Sequence, residues 1–120
     1  MAITTTWIIN DMWHVDADGG VTTVYWTLLA ENDSGDEYAK AGGKQRFTYD
    51  SSSSEFIAYK DLKESDVLGW IYDAHKGPAT GGPENETAAQ YKARMEAERT
   101  AKVQGQHDKA ATESDGLPWG

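Results

Sequence analysis

The chain reads as an α+β domain: an antiparallel β-meander of three to four strands packed by one helix, with a C-terminal helix and a polar tail attached. Three observations predict it. Residues 21–30, VTTVYWTLLA, alternate strictly and combine β-branched with aromatic side chains, the pattern of a central strand. Turn clusters rich in Gly, Asp, Asn and Ser stand on both sides of that run, so it has strand partners before and after. Further on, Val67, Trp70, Ile71 and Ala74 repeat at the spacing of one helix face.

Residues 3–15 supply the first strand, since Thr4, Thr5, Thr6, Trp7, Ile8 and Ile9 all favour extended backbone. The Asn10-Asp11 pair interrupts the alternation and predicts a bulge or kink. Asp16-Ala17-Asp18-Gly19-Gly20 then forms a hairpin turn, in which glycine takes the positive φ of a tight connection. In the strand over 21–30, Val24, Trp26, Leu28 and Ala30 fall on one face and Thr23, Tyr25, Thr27 and Leu29 on the other. A third strand spans 37–49, with Gly42-Gly43 marking a bulge or a close approach to the backbone. After the serine-rich connection at 50–54, Phe56 opens a short fourth strand.

The helix over 64–75 follows. With Lys63 at the N-cap, Leu62 and Val67 stand where a hydrophobic staple belongs and Asp66 where a capping box places its acid, although lysine is the wrong residue type for the cap itself. Gly77-Pro78 ends it. This helix covers the Trp26 face and gathers Trp7, Trp26 and Trp70 into one core. The Tyr25 face is a partner surface if it proves exposed; if the C-terminal helix covers it, the tail takes that place.

At 120 residues the chain holds one core of modest size. Residues 1–76 make the core domain and 77–83, GPATGGP, a linker by composition. Residues 84–104 form a helix whose apolar stripe is thin: Ala88, Tyr91, Met95 and then Val103. That predicts a surface or projecting helix that orders against a partner. Residues 105–120 are a flexible polar tail closing on Leu117-Pro118-Trp119, which docks back on the domain or onto a partner.

A net charge of -9 disfavours nucleic-acid backbone and anionic membranes as partners, because both need a positive footprint. The acids are scattered among turns and helix starts with no run of five or six, so imitation of a phosphate row gains no support. No cysteine is present, which excludes disulfides, thiolate metal sites and cysteine nucleophiles. No apolar run approaches the roughly 18 residues of a bilayer span, and MAITTTWII lacks the basic region of a signal peptide.

Catalytic and ligand motifs fall short one by one. Asp16-Ala17-Asp18-Gly19 begins like a calcium loop but lacks its third ligand position and its distal Glu. His14, His75 and His107 lie in three separate segments, without metal-site spacing. Neither a Gly-x-Ser-x-Gly elbow nor a framed phosphate loop occurs, and Asn85-Glu86-Thr87 reads as a helix start more readily than as a glycosylation site. The expectation is therefore a non-enzymatic protein without cofactor or metal. Its unusual resource is aromatic: five tryptophans and six tyrosines serve either a small β-rich core or an interface.

Trp7 and Met12 in the first strand, DGGVTTVYW over 18–26, FIAYKDLKESDVLGWI over 56–71 and the terminal LPW together carry a resemblance. The chain resembles an uncharacterised family of small proteins encoded by tailed bacteriophages. Lys63 and the helix over 84–104 depart from that family's pattern, and the family has no catalytic residues to carry over. The resemblance implies a phage context and no reaction, and the leading expectation within it is a small virion protein, whether decoration, head-to-tail or tail accessory, acting through protein-protein binding in the virion or the host cytoplasm. The alternative is an early phage protein that binds and modulates a host enzyme. Candidate partner-binding residues are Tyr25, Thr27 and Leu29 on the open strand face, Tyr91 and Met95 on the C-terminal helix, and Leu117, Pro118 and Trp119 in the tail. Partners are other virion proteins or a host protein, and a homo-oligomer fits as well.

Overall fold

Strands form where β-branched and aromatic side chains alternate: β1 (Ile3–His14), β2 (Val21–Asn32) and β3 (Tyr38–Arg46). The computed structural model, which describes residues 2–54, 56–113, 116, 118 and 119, pairs them antiparallel in the order β1-β2-β3. The run VTTVYWTLLA is thus the middle strand. Its turn to β1 is closed by Val15 N–H donating to Gly20 O at 2.9 Å and Gly19 N–H to Val15 O at 2.8 Å, with Gly19 at a φ of 74°.

The Asn-Asp interruption in β1 is a bulge. Ile9 pairs with Trp26 and Asp11 with Tyr25, leaving Asn10 as the extra residue, and Thr27 Oγ1 donates to Asn10 Oδ1 at 2.7 Å. Gly42-Gly43 makes none, because the β2–β3 pairing runs unbroken from Thr23↔Arg46 to Glu31↔Tyr38. Gly42 is instead a close approach. A Cβ there would lie 2.4 Å from the Trp26 carbonyl oxygen, whereas one at Gly43 would meet nothing within 4 Å.

The short fourth strand at Phe56 does not form. Tyr59 N–H donates to Gly19 O at 2.7 Å and Asp61 N–H folds back onto Ala58 O, so this segment seals the β1–β2 turn with one 3-10 turn, Tyr59–Asp61, and never lies along a sheet edge.

Helix α1 (Glu64–His75) occupies the expected residues. Lys63 N–H donates to Asp66 Oδ2 at 3.1 Å, which is half of a capping box, since the lysine side chain has no acceptor to return. Helix α2 (Ala88–Thr112) begins later than residue 84 and runs past 104, through the first half of the expected tail. Thr87 sets its start: Thr87 Oγ1 accepts from Gln90 N–H at 3.1 Å and Gln90 Oε1 from Thr87 N–H at 3.0 Å.

Both helices lie on the Trp26 face. Trp7, Val24, Trp26 and Leu28 pack with Val67, Ile71 and Tyr91 in one cluster, and Ala30 and Ala39 with Val103 in a second. Trp7 and Trp26 stack with centroids 5.5 Å apart, Tyr72 meets Trp7 edge-on at 4.9 Å, and Trp70 stands at the border against Phe47 at 5.8 Å. Aromatic stacking of this kind adds to the burial of apolar area that holds the layers together.

The GPATGGP stretch between the helices is tied down. Buried Glu86 accepts from Gly77 N–H at 2.9 Å and from Arg94 Nε at 2.8 Å, while Arg94 also donates to Thr80 O and Thr80 Oγ1, both at 2.9 Å. Arg94, and after it the Gly77 N–H, hold the Glu86 carboxyl below its usual value.

Candidate protein-binding face

With both helices on one side, the other face of the sheet is left uncovered by the described residues. Antiparallel partners share a face, so the register places Thr6, Ile8 and Trp13 of β1 beside Leu29, Thr27 and Thr23 of β2, and Lys40, Lys44 and Arg46 of β3 beside Leu29, Tyr25 and Thr23. Tyr25, Thr27 and Leu29 are each half-buried by these neighbours, and none of the residues named is buried. Trp13 is 62% exposed at one end and Tyr38 52% at the other. Two strands of twelve residues and one of nine give a face on the order of 550 Å², most of the roughly 800 Å² that one partner contributes to a standard interface.

The register also sets Asp11 of β1 opposite Tyr25 and Glu31 of β2 opposite Tyr38 on this face, so it is the β3 side of the face that runs against the charge of the whole chain. Lys40, Lys44 and Arg46 form an exposed basic row on β3, in a protein of net charge -9. None of the three has an ion pair among the described residues, whereas Lys76, Lys92, Arg94 and Arg99 on the helical side each stand near a carboxylate. Lys40 Nζ lies 5.5 Å from the Tyr38 ring centroid, which keeps the aromatic on the same flank as the charge. The row was legible as a period of two, Lys40-x-Gly42-x-Lys44-x-Arg46. The overall acidity conceals it, because a net charge carries no position.

The other predicted docking residues stand elsewhere. Tyr91 is 1% exposed, packed against Trp7 and His75 in the core, and Met95 is partly buried against the same cluster. Both are core residues; the thin stripe they belong to faces the sheet. Pro118 is exposed and Trp119 is 81% exposed, so Trp119 does not tuck back into the domain. Leu117 lies outside the described residues.

A hollow of about 250 Å³ opens at the edge of the helical layer, walled by Phe47, Tyr49, Phe56, Ile57 and Trp70. The acid that lines it is engaged, since Asp50 accepts from Ser52 Oγ at 2.6 Å, and the Tyr49 hydroxyl donates outside the hollow, to Asp18 at 2.9 Å. The second, of about 350 Å³, lies between β1 and the start of α1, lined by Ile9, Met12, Leu62 and Val67 with Lys60 and Lys63 at the mouth. Among the described residues, no group of three or more His, Asp or Glu side chains stands where it could hold a metal ion, and no helix is long and apolar enough to cross a membrane. Nothing among curated proteins or solved structures matches the chain. Residues 2–119 match the family model described as Domain of unknown function (DUF7936), and the chain belongs to that family.

Proposed function

We propose that the protein is a non-enzymatic binding protein, a small virion component of a tailed bacteriophage, that acts by burying its open sheet face on another virion protein. The observation that carries this is the face itself. Ile8, Tyr25, Thr27 and Leu29 form a half-buried centre between exposed Trp13 and a basic flank, although two helices are available and both pack on the opposite side. An uncovered three-strand face of this make-up has the apolar centre and charged rim of an interface. The phage setting is supported by the motif resemblance of residues 7–72 and the LPW ending.

Mass spectrometry of purified virions tests the reading, with Leu29→Glu as the companion variant. The wild-type protein is expected in the particle and the variant, which places a charge at the centre of the face, is expected to be lost from it while still folding by circular dichroism. Absence of the wild-type protein from virions overturns the proposal.

A further inference from the structure

β3 is an edge strand, and its backbone groups point alternately to β2 and to the outside. Phe47 N–H donates to Thr22 O, which sets the odd-numbered residues of β3 toward β2 and Tyr38, Lys40, Gly42, Lys44 and Arg46 toward the free edge. At one end this edge is already occupied. Gln106 Oε1 accepts from Tyr38 N–H at 3.0 Å, Gln106 Nε2 donates to Tyr38 O at 2.7 Å, and Arg99 Nη1 donates to Lys40 O at 3.2 Å. The glutamine carboxamide makes the two bonds that a residue of a neighbouring strand would make.

Among the described residues, the hydrogen bonds from α2 to this edge stop at Lys40. The outward N–H and C=O of Gly42 and Lys44 have no partner among the described residues, and Arg46 O is held only by the adjacent Gln45 side chain at 2.9 Å. Beside this open stretch stand the exposed side chains of Lys44 and Arg46, with Lys40 near the Tyr38 ring at its border. On the helical side, the space next to Gly43 would admit a side chain. A second copy is a poor occupant, because antiparallel pairing of β3 with β3 sets basic residues opposite one another. Charge complementarity selects an acidic one.

We propose that the free half of the β3 edge, residues 42–46, is a strand-addition site for an extended acidic segment of a partner protein. The guest backbone continues the sheet, its carboxylates meet Lys44 and Arg46, and its alternate side chains lie on the helical side near Gly43. This deepens the partner-binding reading above and rests on it. It also gives the end of α2 a role, since Gln106 and Arg99 fix how far along β3 a guest strand can run.

The test titrates three labelled peptides into the full chain by fluorescence anisotropy: one alternating Glu and Val, one alternating Lys and Val, and a Glu-Val peptide N-methylated on alternate residues. The acidic peptide is expected to bind, more weakly as salt rises, and to slow amide exchange at Gly42 and Lys44. The basic peptide is expected not to bind, and the N-methylated one to lose affinity because it keeps the charge and lacks the donors. Lys44→Glu with Arg46→Glu is expected to weaken the acidic peptide by about tenfold or more, with Lys44→Gln intermediate. Absence of binding by the acidic peptide, equal binding of the N-methylated one, an unchanged charge-reversal variant, or a dimer closed through β3 each overturns the strand-addition site. If Leu29→Glu is lost from virions while the acidic peptide does not bind, the edge proposal falls and the open face stands.

Discussion

His75 is a titratable side chain held among rings. It lies 5.5 Å from Trp26 and 6.1 Å from Tyr91 between ring centroids, and both His75 Nε2 and Trp26 Nε1 are buried without a hydrogen-bond partner among the described residues. A buried donor or acceptor left unmade costs about 1–3 kcal/mol, and the cost rises if the group also carries charge. Burial therefore lowers the His75 pKa from 6.5. Because the unfolded chain takes up this proton at higher pH than the folded one, stability is fully present above pH 6.5 and falls as pH drops through the lowered folded value. Urea titrations at stepped pH are expected to show that loss in the wild type, and His75→Phe, which keeps a ring between Trp26 and Tyr91 without a titrating nitrogen, is expected to flatten it. An unchanged slope in the variant would assign the loss to the carboxylates. Tyr72 shows the same physics with opposite charge: burial first, then Glu96 and Glu64, push its phenol up to about 12, so it stays neutral beside Trp7 well above neutral pH.

The two helices differ most at their starts. α2 opens on a threonine that satisfies a first-turn N–H and receives a reciprocal bond from Gln90, whereas α1 opens on Lys63, whose side chain can only donate. Thr87→Ala is accordingly expected to cost about 1 kcal/mol and Lys63→Ser to gain up to about 1 kcal/mol, read as opposite shifts of the urea midpoint at constant slope. A cap on α1 that gained nothing would mean that Asp66 and the Leu62–Val67 staple already hold the turn. How α2 attaches to the sheet also explains why its apolar stripe suggests a projecting helix. Past Tyr91 and Met95, Val103 apart, it is tied to the sheet by polar side chains: Glu96 accepts from Trp7 Nε1 at 2.9 Å, Arg99 reaches Lys40 O, and Gln106 pairs with Tyr38. A hydropathy stripe counts only apolar residues, so it registered Val103 and missed the three ties around it. β2 was legible for the converse reason, because every residue that faces the core there is apolar. The Lys-x-Gly-x-Lys-x-Arg alternation of β3 was equally plain in the residues. What could not be read was that β3 is an edge and that both helices choose the same face, since those are properties of the assembled layers.

For the whole molecule the choice of face decides what counts as a folding unit. Composition divides the chain at residues 77–83, and the ties in that stretch argue against a division: Glu86 reaches back to Gly77 and Arg94 to Thr80, at the start and the middle of the stretch. More importantly, the Trp26 face is covered jointly. Val67 and Ile71 of α1 close one part of it, but Tyr91 lies against Trp7 and Val103 over Ala30 and Ala39, where α1 does not reach. Removing a buried aromatic of Tyr91's size costs about 3–5 kcal/mol, against a total of about 5–15 kcal/mol for a domain. Losing all of α2 uncovers Ala30 and part of Trp7 as well, and frees the backbone of Tyr38 at the sheet edge. A fragment of residues 1–76 is therefore expected to lack a cooperative urea transition and to associate through its exposed apolar face and longer open edge, whereas the full chain unfolds in one step. The check is circular dichroism with sedimentation velocity on both. A monomeric fragment with its own sharp transition would show that α1 alone completes the core, and would make α2 an appendage of the kind its thin apolar stripe suggested.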